Sequence, residues 1–312
     1  MIIASIDIGT NTILMLIANV DASKKIISST IIDEYRIPRI GKGLSPDKEI
    51  GPQQIENLFV VLGEYHQLIK KYNCDKVIAV ATNAFRISSN GRKLACEIRN
   101  KFGFDVEIIS GDDEAKFSYL GAANNKFKGA NNLVIDIGGG STEIIIGNDE
   151  NILFKKSFLI GVVSGKEKYL NANPLLPAQI NKLKEELIKL FNGVYLEKFK
   201  IDKTFAIAGT PTTLACLKLN LDHYEESIIE GSDLTKDEVN DFISELSILS
   251  PSEILGKYKA VVQGREDVLL CGTIILHTIM EILNLDSVTV STKGIRYGAI
   301  VNFLLENNFR KE

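Results

Sequence analysis

The chain has 312 residues, 45% of them hydrophobic and 24% charged, with 36 Lys and Arg against 40 Asp and Glu for a formal charge of −4. That length allows two domains with a real core each, and the composition is that of an ordinary globular protein, not of a disordered or low-complexity chain. The acidic balance argues against nucleic-acid binding, so any polyanionic ligand must be drawn in by local Arg or Lys and a metal ion.

The chain opens directly on strand residues (Met1-Ile2-Ile3-Ala4-Ser5-Ile6), which leaves no room for a basic segment, an apolar segment and a cleavage site, so no export is expected. Strands are predicted at 2–8, 13–20 and 25–34, followed by a loop through Gly41, Gly43, Pro46, Gly51 and Pro52. Ile55, Leu58, Phe59, Leu62, Tyr65 and Ile69 recur at helical spacing and predict a helix over 53–72. Then come a strand at 77–81, a helix at 92–102, a strand at 106–109 and a helix at 112–123. The polar, Gly-containing stretch 126–132 is the expected domain boundary.

The second half repeats that order, with strands at 133–137, 143–147 and 152–159, a helix at 177–191 and a strand at 204–208. Helices follow at 236–246, 251–258 and 266–283, then a strand at 287–291 and a last helix at 297–308. The apolar run from Val268 to Leu283 is interrupted by Gly272, Thr273, His277 and Glu281, so it reads as a buried helix and no membrane association is expected. Cys74, Cys96, Cys216 and Cys271 lack metal or disulfide spacing and read as core thiols of a cytoplasmic protein. The class is α/β, with mixed sheets flanked by helices and present twice.

The repetition is plainest in one motif. Ile6-Asp7-Ile8-Gly9 followed by Thr10-Asn11-Thr12 recurs as Ile135-Asp136-Ile137-Gly138 followed by Gly139-Gly140-Ser141-Thr142. Each copy is an apolar strand, an Asp, a tight turn and a second apolar strand, the pattern of a β-hairpin. Taken alone, either copy is also compatible with an ordinary turn. Two aligned copies point to duplicated domains sharing an interdomain cleft. Small residues let backbone N–H groups converge on an anion, Ser and Thr hydroxyls add donors, and an Asp at the strand end can hold a cation on the same phosphate. Two such tips would clamp a polyphosphate.

These motifs, with Ala81-Thr-Asn-Ala-Phe-Arg86, Ile109-Ser-Gly-Asp-Asp-Glu-Ala-Lys-Phe-Ser-Tyr-Leu-Gly121, Ala208-Gly-Thr-Pro-Thr-Thr-Leu-Ala215 and Gly294-Ile-Arg-Tyr-Gly298, resemble in order the exopolyphosphatase/guanosine pentaphosphate phosphohydrolase (Ppx/GppA) family. The resemblance implies two ribonuclease H-like domains of the actin, Hsp70 and sugar-kinase superfamily. Domain I is expected over 1–125, with a terminal helix 299–312 packing back on it, and domain II over 126–298. It also implies a hydrolase that releases the terminal phosphate of polyphosphate, or of guanosine pentaphosphate in the stringent response. Similar proteins imply polyphosphate or guanosine penta- and tetraphosphate as partners, and a homodimer.

By the same resemblance Glu114 is the catalytic base, since attack of water on phosphorus needs a carboxylate to orient it and take its proton. Asp112 and Asp113 share its helix turn, where acids also serve as caps or dipole partners. Asp136 and Glu143 flank the glycine turn from its two strands and suit Mg²⁺ or another divalent cation, with Asp7 as the symmetry mate of Asp136. Arg86 matches an Arg that grips phosphate in similar proteins. The N–H groups of Gly9, Thr10, Asn11 and Thr12, and of Gly138, Gly139, Gly140, Ser141 and Thr142, complete the cradle, with the Ser141 and Thr142 hydroxyls as extra donors.

Gly209 and Thr210 lie where nucleotide-binding relatives approach adenosine. Arg265 and Arg296 are read either as a basic track or as solvated side chains. Leu14 stands where many relatives carry Arg or His, and Ala208 replaces a Gly of some members, a change expected to matter only locally. His66, His223 and His277 have no adjacent Asp, so the metal-binding helical module of longer members is not expected. The rival readings are an ATP-dependent kinase or ATPase of the same fold and a non-catalytic nucleotide sensor.

Overall fold

The computed structural model describes residues 1–123, 129–149, 151–172, 175–194 and 199–307. The chain divides into two compact units, one formed by Met1–Gly121 together with the chain from Lys293 onward, the other by Ala122–Thr292. The boundary expected at 125/126 and the last residues of the terminal helix lie outside the described residues.

In the first unit β1 (Ile2–Ile8), β2 (Ile13–Asp21) and β3 (Ile26–Arg36) form an antiparallel meander. Next come α1 (Pro52–Lys71), β4 (Lys76–Ala81), α2 (Asn83–Ile87), α3 (Gly91–Phe102), β5 (Val106–Ile108) and α4 (Gly111–Ala123). β4 pairs parallel with β1 and β5 parallel with β4, which gives the order β3-β2-β1-β4-β5. β1 is buried on both faces from Ile3 onward, so that even its polar residues Ser5 and Asp7 lie out of solvent among Ile3, Ala4, Ile6 and Ile8. α1 turns Leu58, Leu62, Tyr65 and Ile69 inward, and the Tyr65 hydroxyl donates to the Ile13 carbonyl at 3.0 Å.

The second unit starts with the meander β6 (Asn131–Ile137), β7 (Thr142–Asn148) and β8 (Asn151–Phe158), then α5 (Val162–Tyr169), α6 (Pro177–Phe191), β9 (Lys203–Ile207), α7 (Gly209–Lys218) and α8 (Glu226–Ile229). It continues through β10 (Asp233–Thr235), α9 (Lys236–Leu246), α10 (Pro251–Tyr258), α11 (Leu269–Ile282) and β11 (Ser287–Val290). From its β8 edge the sheet runs β8-β7-β6-β9-β11-β10, the order of the first unit with one antiparallel edge strand added. The duplication visible in the hairpin motif thus extends to the whole sheet.

α12 (Ile295–Glu306) belongs with the first unit, where Tyr297, Ile300 and Leu304 pack on Ile3, Leu16, Ala18 and Val20. Arg296 is 5% exposed and grips Asp33 of β3 through two hydrogen bonds of 2.7 Å, and the Tyr297 hydroxyl donates to the same carboxylate at 3.1 Å. The basic track considered through Arg296 is therefore corrected: its charge is committed to a bidentate pair inside the unit. α12 also crosses α4 with main chain against main chain. The Gly121 Cα faces the Gly294 carbonyl and the Gly298 Cα faces the Phe117 carbonyl, and neither position has room for a Cβ.

α11 is buried almost all round from Leu269 to Met280, including His277, which is 6% exposed. Burial holds the His277 imidazole below its ordinary value of 6.5, Lys184 and Lys236 act in the same direction, and Glu281, 3.3 Å from Nδ1, opposes them. Because the folded value is the lower one, the unfolded chain takes up the proton first. The neutral ring's contribution is complete above about pH 6.5 and is lost as pH falls below that toward the folded value. Urea midpoints should therefore drop from about pH 7 to about pH 5.5, with a slope of at most ~1.4 kcal/mol per pH unit from this group. His277→Leu should flatten the slope, and an unaltered slope would assign it to other groups. Among the described residues no helix is long and apolar enough to cross a membrane.

Candidate active site

Both hairpin tips are built alike. In the first unit the Gly9 N–H donates to the Thr12 carbonyl at 3.0 Å, and in the second the Gly138 N–H donates to the Ser141 carbonyl at 2.9 Å. The turn carbonyls are held from outside. Thr10 and Asn11 accept from the N–H groups of Gly41 (2.8 Å) and Arg39 (3.1 Å), while Gly138 and Gly139 accept from those of Val162 (2.9 Å) and Val163 (2.8 Å) at the start of α5. With the carbonyls turned to one side, the N–H groups of Thr10, Asn11 and Thr12, and of Gly139, Gly140 and Ser141, donate no hydrogen bond among the described residues. Such an arrangement is a concave set of donors suited to an anion.

The strand register places the acids. Asp136 lies directly opposite Glu143 next to the turn, so the two carboxylates share one face; they are 6% and 1% exposed. The Ser157 hydroxyl donates to Glu143 Oε1 at 2.6 Å. In the first hairpin Asp7, 5% exposed, lies opposite Leu14, so that tip carries one carboxylate where the other carries two. Like charges set opposite each other on buried strands repel unless a cation or proton intervenes. No group of three or more His, Cys, Asp or Glu side chains able to hold a metal occurs among the described residues. Two hard carboxylates without a full cage fit Mg²⁺, which keeps waters and completes its shell with phosphate oxygens. Three expected donors are corrected: the Gly9 and Gly138 N–H groups are spent on the carbonyls of their own turns, and Thr142 is fully buried with its hydroxyl donating to the Ile160 carbonyl at 2.7 Å, so none of these protons is available to a phosphate.

In the first unit the three acids at the start of α4 have separate fates. Ser110 and Asp113 form a reciprocal cap, with the Asp113 N–H donating to Ser110 Oγ at 3.1 Å and the hydroxyl donating to Asp113 Oδ2 at 2.7 Å. Asp112 is exposed, whereas Glu114 is turned inward and 5% exposed. Arg86, at the end of α2, donates through Nη1 to Glu114 Oε2 at 3.0 Å and to the Ile109 carbonyl at 2.9 Å. Its Nε and Nη2 make no hydrogen bond among the described residues. One edge of the guanidinium thus fixes the carboxylate while the other is open to a second anion.

The loop after β9 departs from the sequence expectation. Ala208 sits at φ 75° and ψ −165°, a region open almost only to glycine, so the Ala is a strained residue and not a local trifle. Its side chain is exposed, so glycine forfeits little packing there. Relief of about 1–3 kcal/mol of strain should outweigh the roughly 0.5–1 kcal/mol entropic cost of glycine. Ala208→Gly should accordingly raise the thermal midpoint by a few degrees, and a lowered midpoint would contradict the strain. The Thr212 hydroxyl donates to the Ala208 carbonyl at 2.9 Å, and Arg265 lies over Gly209 with Nη1 3.0 Å from Thr213 Oγ1. Thr210 is buried.

Neither the grip of α5 on the glycine turn nor the hold of the loop 38–51 on the first tip is among the contacts expected from the sequence. Gly161, set between Phe158-Leu159-Ile160 and Val162-Val163, is the signal that marks the former.

Two sheets of the same order, each with an Asp-bearing hairpin, define an actin-like two-unit α/β protein. The crystal structure of the Aquifex aeolicus member of the Ppx/GppA family superposes with a TM-score of 0.81 at 29% identity, covering 99% of each chain. The sequence model of the Ppx/GppA phosphatase family matches residues 16–307, and the chain belongs to that family. A bifunctional 3-dehydroquinate synthase/phosphatase of Fusobacterium nucleatum is 33% identical over 96% of this chain, which spans 46% of that protein. Exopolyphosphatase 2 of Mycobacterium tuberculosis is 29% identical over 95% of this chain and 96% of its own length.

Proposed function

We propose that the protein hydrolyses the terminal phosphoanhydride of inorganic polyphosphate, of guanosine pentaphosphate, or of both. The observation that carries this reading is Glu114, a carboxylate buried at the head of α4 and oriented by Arg86. The Glu114 carboxylate accepts a proton from water as its oxygen attacks the terminal phosphorus. The bond to the bridging oxygen breaks, giving inorganic phosphate and a chain one phosphate shorter.

Arg86 would bind the departing phosphate through its Nε and Nη2 edge, and the turn N–H groups of both hairpins would bind phosphate oxygens. Asp136 and Glu143 would hold Mg²⁺, and Asp7 is assigned the same kind of contact from the first hairpin. Bound there, the ion would offset charge on the phosphate oxygens. Supporting the reading are membership of a phosphatase family and likeness over nearly full length to an exopolyphosphatase.

The test is phosphate release, with and without Mg²⁺, from long-chain polyphosphate, guanosine pentaphosphate and ATP. Release from either of the first two that requires Mg²⁺ is the expected result. Consumption of ATP alone would favour a kinase or ATPase, and ligand-induced stabilisation without release would favour a sensor.

A further inference from the structure

Asn83 is a buried amide with nothing to bond. It follows Ala81, the end of β4, by two residues and is 5% exposed. Its Oδ1 is sealed from solvent, and neither end of the carboxamide makes a hydrogen bond among the described residues. An unpaired acceptor of this kind costs stability, and its place in a folded chain is explained when a bound molecule completes it.

The surrounding contacts fix which way the amide faces. The Thr82 N–H donates to the Ile8 carbonyl at 3.2 Å, which sets the start of α2 beside the end of β1 and therefore next to Gly9 of the hairpin turn. Within α2, Phe85 is 1% exposed and packs in the core cluster that holds Ile8 and Leu94. Asn83 lies on the opposite side of the helix from Phe85, on the face it shares with Arg86 three residues further on. Arg86 is tied to Glu114 Oε2 and to the Ile109 carbonyl, so that face looks toward Glu114.

Water attacking phosphorus has two protons to place. One passes to Glu114, and the other needs an acceptor if the remaining lone pair is to point at the phosphorus. Arg86 and the turn N–H groups can only donate, and a further carboxylate would meet the phosphate with like charge. A carboxamide oxygen accepts without carrying charge. The Asn11 Oδ1 is also buried and unpaired, but it sits on the turn that receives the phosphate, whereas Asn83 sits on the helix that positions Glu114 through Arg86.

We infer that Asn83 Oδ1 accepts a hydrogen bond from the attacking water and aims its oxygen at the terminal phosphorus. This rests on the phosphohydrolase reading above. The proton facing Asn83 stays on the water oxygen and ends on the product phosphate, while the other goes to Glu114 as the bond to the bridging oxygen breaks.

The experiment measures kcat, KM and melting curves for the wild type, Asn83→Leu, Asn83→Asp and Asn302→Leu, on whichever of polyphosphate and guanosine pentaphosphate the wild type hydrolyses. Asn302 is the control: it is 8% exposed with an equally unpaired Oδ1, on α12, which packs on Ile3 and Val20 at the ends of β1 and β2 remote from the turn. Both leucine variants remove an unpaired amide and should melt at or above the wild type. Asn83→Leu should lower kcat roughly tenfold with KM unchanged, the effect of one lost hydrogen bond, while Asn302→Leu keeps the wild-type kcat. Should Asn83→Leu melt well below the wild type, Asn83→Ala, which adds no bulk, is read in its place. Asn83→Asp keeps an acceptor and should regain part of the turnover, with the acid limb of its pH–rate profile moved up by about one unit because a second carboxylate beside Glu114 favours its protonated form. An unchanged kcat in Asn83→Leu, a raised KM at unchanged kcat, or an unmoved acid limb in Asn83→Asp would each overturn the role while hydrolysis stood. If the wild type released phosphate from neither substrate, the hydrolase reading itself would fail, and the role of Asn83 with it.

Discussion

Glu114→Gln should lower the rate of phosphate release by about two to four orders of magnitude, the range for loss of a general base, while the protein stays folded. The amide oxygen can still accept from Arg86 Nη1, and that nitrogen keeps its 2.9 Å bond to the Ile109 carbonyl, so the Arg86 donor is not stranded. What the variant lacks is a group able to take the proton from water. Single-turnover release, together with a melting curve, separates these effects. A variant with unimpaired release would remove Glu114 from the role of base, and one that melted far below the wild type would make its carboxylate structural.

Gly161→Ala should be strongly damaging although it removes no functional group. Gly161 has φ −140° and ψ −174°, an extended conformation any residue adopts, so the effect is purely steric. A Cβ there meets the Gly138 carbonyl oxygen, the Gly139 carbonyl carbon and the Gly140 nitrogen, the last at 2.6 Å. These are backbone atoms of the glycine turn, and they cannot rotate aside as a side chain would. The turn must move or α5 must let go of it. Overpacking of this kind costs about 1–3 kcal/mol, and a misplacement of about 1 Å near reacting groups can cost roughly a hundredfold in rate. Turnover should thus fall far more than the melting temperature does, and equal activity in the two proteins would show that the turn has no part in the reaction.

The elements legible in the sequence are those with punctuation. α6 and α10 begin at Pro177 and Pro251 and match their expected bounds, as does α9, where Thr235 and Glu238 form a capping box that Ser250 and Glu253 repeat for α10. α7 escaped because Thr210 to Leu217 are all buried, leaving no polar face to give a period, and α2, α8 and β10 are too short to show one. In the site, the hairpin duplication and the three acids of α4 are visible in the chain, and Ser110-x-x-Asp113 already marks which acid is the cap. The pairing of Arg86 with Glu114 is invisible at that level. It joins residues 28 positions apart through a contact that only the folded chain makes.

The crossing of α12 over α4 bears on how this enzyme can change over evolution. α4 carries Glu114, and main-chain atoms fix its distance from α12 at Gly121 and Gly298. The apolar side chains around the crossing, Val80, Ile109, Ile295 and Ala299, can then vary in volume by sliding past one another without translating the helix. Selection for heat resistance can work on that cluster while the reaction geometry stays put. The glycines themselves are closed to it: any side chain at 298 forces the helices apart and takes Glu114 with them.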